Sequence, residues 1–171
     1  MINRNSDEAF ANKGYSLNQL NDFVGALDCW NKAIAIKPHE ADYFLNKGYT
    51  LKRLKNDTES LQCFNKACEL NPKSHIAFLN KGVALFMKKD YLAAIETFDK
   101  SIQISPNFDN VSNKAFALMS LKEYKEALVL LENAIEMKPL DTKVISHKGQ
   151  ALIYLKGYYI LKFHTNIFLF F

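Results

Sequence analysis

The residues best suited to nucleophilic or metal chemistry in this chain are four histidines and three cysteines. Their spacing supports neither use. His39, His75, His147 and His164 form no HExxH pair, and none stands beside cysteines at zinc spacing, so no metal site is expected. Cys63 and Cys68 are five residues apart, which is neither CxxC nor the spacing of a helical face. Cys29 and Cys63 are 34 residues apart. If that is one repeat, stacked helices hold their backbones about 8–10 Å apart, beyond disulfide reach. The expectation is three free cysteines used as small apolar filler. No phosphate loop, dinucleotide fingerprint or GxSxG elbow occurs. No cofactor and no catalytic residue is expected, and the chain is not read as an enzyme.

Composition and charge narrow the partners. Of 171 residues, 49% are apolar and 23% charged, the balance of a globular chain long enough for one domain with a sizeable core. Four prolines and six glycines are few enough for a mostly helical protein. The net charge of +4 comes entirely from Lys143, Lys148, Lys156 and Lys162, leaving the first 141 residues neutral. A neutral body gives no electrostatic reason to expect nucleic acid. The odd cysteine number suits a reducing compartment, and MINRNSDEAF has no apolar run of the signal-peptide kind. A cytoplasmic location is therefore expected. Asn56-Asp-Thr and Asn110-Val-Ser match the glycosylation pattern, which has no meaning in that compartment.

Internal repetition dominates the chain. ANKGYSL, LNKGYTL, LNKGVAL, SNKAFAL and SHKGQAL align on Gly14, Gly48, Gly82, Ala115 and Gly149, spaced by 34, 34, 33 and 34 residues. Pro38, Pro72, Pro106 and Pro139 are spaced by 34, 34 and 33, so one residue is missing between Pro106 and Ala115, in a connection. Each unit reads as two helices. Phe10, Leu17 and Leu20, then Phe23, Leu27, Trp30 and Ile34, recur at helical spacing. Asn21-Asp22, Asn56-Asp57 and Lys89-Asp90 mark the turn within a pair, with Asp placed to cap the second helix. Proline then ends that helix. A mid-helix glycine costs about 1 kcal/mol relative to alanine, so its recurrence points to a partner helix crossing too close for a side chain. The second helices carry small residues at matching places: Ala26, Ser60, Ala94 and Ala127, then Ala33, Ala67, Ser101 and Ala134. Between them stand the bulky Trp30, Phe64, Phe98 and Leu131.

This order of glycine, alanine, aromatic, alanine and proline at a 34-residue period resembles the tetratricopeptide repeat (TPR). The units fall at 7–40, 41–74, 75–107 and 108–141, with a partial fifth from 142, so a TPR domain is expected over 7–157. Lys13, Lys47, Lys81, Lys114 and Lys148 depart from the family's usual aliphatic residue, and their stems can pack while the ammonium snorkels out. The resemblance implies an all-α right-handed superhelix of antiparallel helix pairs, an α-solenoid whose first helices line a concave groove. Stacking itself follows from physics, since no single pair can bury its apolar face alone.

The resemblance also implies which residues face the groove. One position is Asn12, Asn46, Asn80 and Asn113, then His147. A ladder of amides can donate to and accept from a peptide backbone without reading its sequence. It is similar to the asparagine arrays of the superhelical domain of O-linked N-acetylglucosamine transferase. The competing reading is that each amide only bonds its neighbours within the protein. Other implied groove residues are Glu8, Ala11, Tyr15, Asn18 and Gln19, then Asp42, Leu45, Tyr49, Lys52 and Arg53. Ile76, Leu79, Val83, Phe86 and Met87 follow, then Asp109, Ser112, Phe116, Met119 and Ser120. Phe86, Met87, Phe116 and Met119 would receive an apolar side chain of the ligand. The two-carboxylate clamp for heat-shock chaperone tails is largely missing. Ala11, Tyr15 and Ile76 stand where it needs lysine, asparagine and lysine, Asn80 where it needs arginine, and only Asn46 matches. Such tails are not expected as partners.

Lys156-Gly157-Tyr158 matches the turn at Lys122-Glu123-Tyr124, but YILKFHTNIFLFF then abandons the repeat. Leu161, Thr165 and Phe168 stand where Ala127, Leu131 and Ala134 stood. Residues 158–171 include Lys162, His164 and Asn166 and are too few for a span of about 20 residues, so no membrane partner is expected. This apolar tail is read as a truncated or mis-joined end that promotes self-association. The expected function is an adaptor that binds an extended peptide or partner segment. The alternative is a TPR segment of a larger protein, which could be an enzyme.

Overall fold

A computed structural model of the chain describes residues 6–168, with side chains for 6–157. Among the described residues there are nine α-helices and no strand. They form two compact units. The first, Met1–Lys88, holds α1 (Ser6–Gln19), α2 (Phe23–Ile36), α3 (Ala41–Arg53), α4 (Asp57–Leu70) and α5 (His75–Met87). The second, Lys89–Phe171, holds α6 (Tyr91–Ile104), α7 (Phe108–Ser120), α8 (Tyr124–Met137) and α9 (Thr142–Phe168).

The turn between α1 and α2 shows why the chain reverses there. Asn21 is left-handed, with φ 61°. Its N–H reaches the Asn18 carbonyl at 3.1 Å, and the Asp22 N–H reaches the Leu17 carbonyl at 2.9 Å. That is the Schellman pattern, which satisfies the last carbonyls of a helix. Asp22 then caps α2, its side chain accepting from the Gly25 N–H at 3.0 Å. The same bonds recur at Lys55-Asn56 and Lys122-Glu123, and positive φ recurs at Lys55, Lys89 and Lys122. In the second unit of the repeat the cap is Asn56, not Asp57, which is the first residue of α4. The prolines act as expected: α2, α4, α6 and α8 each end two residues before Pro38, Pro72, Pro106 and Pro139. The missing residue shortens only the α6–α7 connection to 105–107. There Asn107 and Asn110 form a capping box, and Asn110, fully buried, donates to the Ser105 carbonyl at 2.8 Å.

The small residues of the second helices are all buried, as are Trp30, Phe64, Phe98 and Leu131 between them. Trp30 packs with Ala26, Ala33, Tyr43, Phe10 and Leu17. Ser60 replaces alanine at one close approach and donates to the Gly48 carbonyl at 2.7 Å, tying α4 to α3. Cys29, Cys63 and Cys68 are buried and form no disulfide among the described residues. Burial pushes the Cys63 thiol up, which leaves it a weak nucleophile. Of the lysines that precede the small residue of each repeat, Lys114 pairs with Asp99 on α6 and Lys148 with Glu132 on α8.

The expectation for the fifth unit is corrected. Helix α9 runs unbroken through Lys156-Gly157 to Phe168, where a turn was expected. The sequence supplies no Asp, Asn or Ser there to cap a new helix, and Gly157 does not adopt positive φ. Bulky Leu161 and Phe168 also stand where every other second helix carries a small residue for close approach. The side chains of the apolar tail, 158–171, lie outside the described residues. Among the described residues no helix is long and apolar enough to cross a membrane.

Candidate functional site

The first helices carry the residues to be placed, and unit one brings four of them together. Tyr15, Asn46, Tyr49 and Arg53 line one cavity of about 300 Å³ between α1 and α3, with Asn18, Gln19 and Asn21. They meet because α1 and α3 present positions one repeat apart side by side: Tyr15 and Tyr49 are 34 residues apart, as are Asn12 and Asn46. Tyr15 and Tyr49 are exposed. Asn18, implied as a groove residue, is instead buried in the cavity wall, within 3.0 Å of the Thr50 hydroxyl.

Arg53 is the charged residue of this cavity, and its neighbours hold it in place. Its guanidinium carbon lies 4.6 Å from the centroid of the Phe23 ring and 6.0 Å from that of Tyr49. Nη1 donates to the Tyr49 hydroxyl at 3.0 Å, and Nη2 makes a long contact of 3.4 Å with Asn21 Oδ1. All these partners are neutral. Among the described residues no carboxylate pairs with Arg53. Lys52, the neighbouring cation, is half-buried and does not line the cavity.

Three of the four asparagines behave alike. Asn46, Asn80 and Asn113 each donate from Nδ2 to the carbonyl four residues back, at 2.8, 2.9 and 2.7 Å. His147 makes the same contact to Lys143 at 2.7 Å. Each amide is tied to its own helix and not to the next repeat, a bond to a neighbour within the protein of the kind the competing reading expects. The bond fixes the side chain and leaves the carbonyl oxygen and one N–H for another partner. Asn12 is exposed, and its carbonyl accepts the Ser16 hydroxyl at 2.9 Å.

The apolar candidates divide. Met87 is exposed, Phe86 and Met119 are half-buried, and Phe116 is buried. Phe116 packs against the next helix. Its ring lies under His147, with centroids 4.3 Å apart, and the Lys143 ammonium stands 4.5 Å from its centroid. His147 and Lys143, both on α9, thus lie against the ring that was expected to receive a ligand side chain.

Sequence reasoning missed a second polar centre in the first unit. Asp7, fully buried, accepts from Lys37 Nζ and from the Tyr43 hydroxyl, both at 2.7 Å. The Lys37 ammonium, then the Tyr43 hydroxyl, hold the Asp7 carboxyl below the usual carboxylate range. Asp7 in turn raises Lys37. The only sequence signal was an acid in the first turn of α1. Among the described residues no group of three or more His, Cys, Asp or Glu could hold a metal ion.

Family models described as tetratricopeptide repeat match residues 41–74 and 111–139 in one case and 58–107 in another, together more than half of the chain. The chain belongs to the tetratricopeptide repeat family. No curated protein sequence matches it. Solved TPR-like structures do. MamA from Desulfovibrio magneticus RS-1 superposes with a TM-score of 0.83 at 15% identity, covering 94% of this chain and 92% of that one. YrrB, described as a TPR protein with an unusual peptide-binding site, gives a TM-score of 0.68 at 26% identity, covering 72% of this chain and 64% of its own. The first TPR of Spaghetti (RPAP3), bound to the HSP90 peptide SRMEEVD, gives 0.68 at 20% identity, covering 70% and 96%. These likenesses show an all-α TPR solenoid. The family and fold make the chain a protein-interaction module.

Proposed function

We propose that this TPR module binds an extended peptide segment, with α1, α3 and α5 of its first unit supplying the contacts. The supporting observation is the pair of asparagine amides of the first unit, Asn46 and Asn80, each held by its own helix and left with one acceptor and one donor. Such groups match the alternating N–H and C=O of a peptide backbone and read no side chain. Holding them in place in advance lowers the ordering cost of binding. Within the first unit, Tyr15, Tyr49 and Arg53 supply polar contacts, while Phe86 and Met87 supply apolar ones. The peptide-binding site in the name of YrrB, the 26%-identical relative, supports the same reading.

The test is a selection of dodecamer peptides displayed on phage against the full chain, followed by calorimetric titration of a selected peptide. Each lost hydrogen bond is worth about 0.5–1.5 kcal/mol, so a chain carrying both Asn46→Ala and Asn80→Ala should bind roughly five- to a hundred-fold more weakly. Its side-chain preference should not change. Unchanged affinity with an unchanged circular dichroism spectrum would make the amides structural. Failure to enrich any peptide would remove the reading altogether.

A further inference from the structure

The cavity between α1 and α3 contains a cation that the fold positions but does not neutralise. Arg53 stacks on Phe23, accepts orientation from Tyr49 and Asn21, and has no carboxylate partner among the described residues. Asp22, next to Asn21 in sequence, is engaged in capping α2. An arginine whose planar group is already held, and whose other N–H groups are free, is suited to bidentate recognition of a carboxylate. A lysine could not do this, because its ammonium neither stacks as a plane nor offers a fork.

We propose that this cavity is a subsite for one carboxylate of the bound peptide, taken by Arg53. The proposal rests on the peptide-binding reading and specifies its ligand: a segment carrying an acidic group at one fixed position. The charge inventory favours carboxylate over phosphate. The cavity offers one guanidinium, and its other lining residues, Tyr15, Asn18, Gln19, Asn21, Asn46 and Tyr49, are neutral. That balances a monoanion and leaves a phosphate dianion half compensated. Tyr15 and Tyr49, both exposed, form an aromatic rim against which the methylene stem of an acidic side chain can pack. The site differs from the two-carboxylate chaperone clamp, of whose residues this chain keeps only Asn46.

The carboxylate can come from an Asp or Glu side chain or from a peptide C-terminus, and small probes separate the two. The full chain, labelled with ¹⁵N, is titrated with N-acetylglutamate α-amide, with N-acetylglycylglycine, with N-acetylglutamine amide and with phenyl phosphate. The Nε–Hε resonance of Arg53 is followed by NMR. It should move saturably with at least one carboxylate probe, with a dissociation constant of about 1–10 mM, and not with the neutral amide. The carboxylate that moves it identifies the source. Backbone shifts at Tyr49 should report binding about ten- to a hundred-fold weaker in Arg53→Gln. Tyr49→Phe, which keeps the ring and removes the orienting hydroxyl, should weaken it less. An Arg53 resonance indifferent to both carboxylates, an equal response to the neutral amide, or tighter binding of phenyl phosphate would each overturn the proposal. The phage selection keeps the two readings apart. If the groove takes peptides but this subsite is wrong, selected peptides carry no fixed acid, and Arg53→Gln selects the same set. If the groove reading is wrong, no peptide is enriched, yet Arg53 still responds to the small carboxylates.

Discussion

A Cβ added at Gly48 would stand 2.6 Å from Phe64 Cε1 and 3.2 Å from Cys63 Cβ. The Phe64 ring is completely buried, so it has nowhere to retreat. At Gly14 the nearest atom is Trp30 Cε2 at 3.0 Å, and at Gly149 there is none within 4 Å. One repeated residue therefore has three environments, and three alanine substitutions should rank accordingly. Alanine gains about 1 kcal/mol of helix propensity over glycine, while overpacking a tight core costs roughly 1–3 kcal/mol. Gly48→Ala should destabilise, Gly14→Ala should be milder, and Gly149→Ala should stabilise by up to about 1 kcal/mol. Urea midpoints measure all three. A stabilised Gly48→Ala would refute the close-approach account, and a destabilised Gly149→Ala would show that a helix fills that position in solution. The close approach was legible at Gly14 and Gly48 because a costly residue recurring mid-helix needs a packing reason. It was illegible at Gly149, whose partner helix would have to come from a chain reversal that α9 does not make. The burial of Phe116 was illegible for a similar reason. Its cover is His147 and Lys143 on the next helix, and a groove position read within one helix does not show what lies across it.

Helices and their ends were the most readable level, since polar pairs and prolines at a fixed period mark the boundaries of the first four repeats. The conformation inside each turn was not. Lysine is no signal for a left-handed residue, yet Lys55, Lys89 and Lys122 adopt positive φ like Asn21. The hydrogen bonds from Asn56 to Leu51 and from Glu123 to Leu118 require it. A side chain in that region costs roughly 1–2 kcal/mol, against about 0.5–1 kcal/mol for the extra freedom that glycine loses on folding. Lys55→Gly should therefore stabilise by up to about 1 kcal/mol. Glu123 is the weak copy of the cap, because its longer side chain makes no cap hydrogen bond where Asp22, Asn56 and Asp90 do. Shortening it in Glu123→Asp should restore the bond and add roughly 0.5–1 kcal/mol. Thermal or urea melts check both. If both variants melt below the parent chain, these turns are held by contacts other than the backbone bonds named here.

At the scale of the whole chain, a repeat array has two ends, and nearest-neighbour stacking makes each end the place where unfolding starts. The two ends here are secured differently. Asp7 ties the start of α1 to Lys37 after α2 and to Tyr43 on α3, in a buried centre. Helix α9 has Ile145, Leu152 and Ile153 exposed and nothing against Gly149. Amide exchange at neutral pH should therefore be slower in α1 than in the described part of α9. The advantage of α1 should depend on pH with a definite sign. The Asp7 carboxyl is lowered in the folded chain, so its contribution is present above the unfolded value of about 3.9 and is lost as pH falls through the folded value. Lys37 is raised, so its contribution is present below about 10.4 and is lost as pH rises through its folded value. Between these limits both contributions are complete. Exchange rates, corrected for the intrinsic dependence on pH, should show α1 losing protection on acidification below about pH 4. Asp7→Asn should lose protection in α1 already at pH 7 and show little further loss on acidification. If α1 in Asp7→Asn is protected as in the parent chain, the buried carboxylate is not what holds this end.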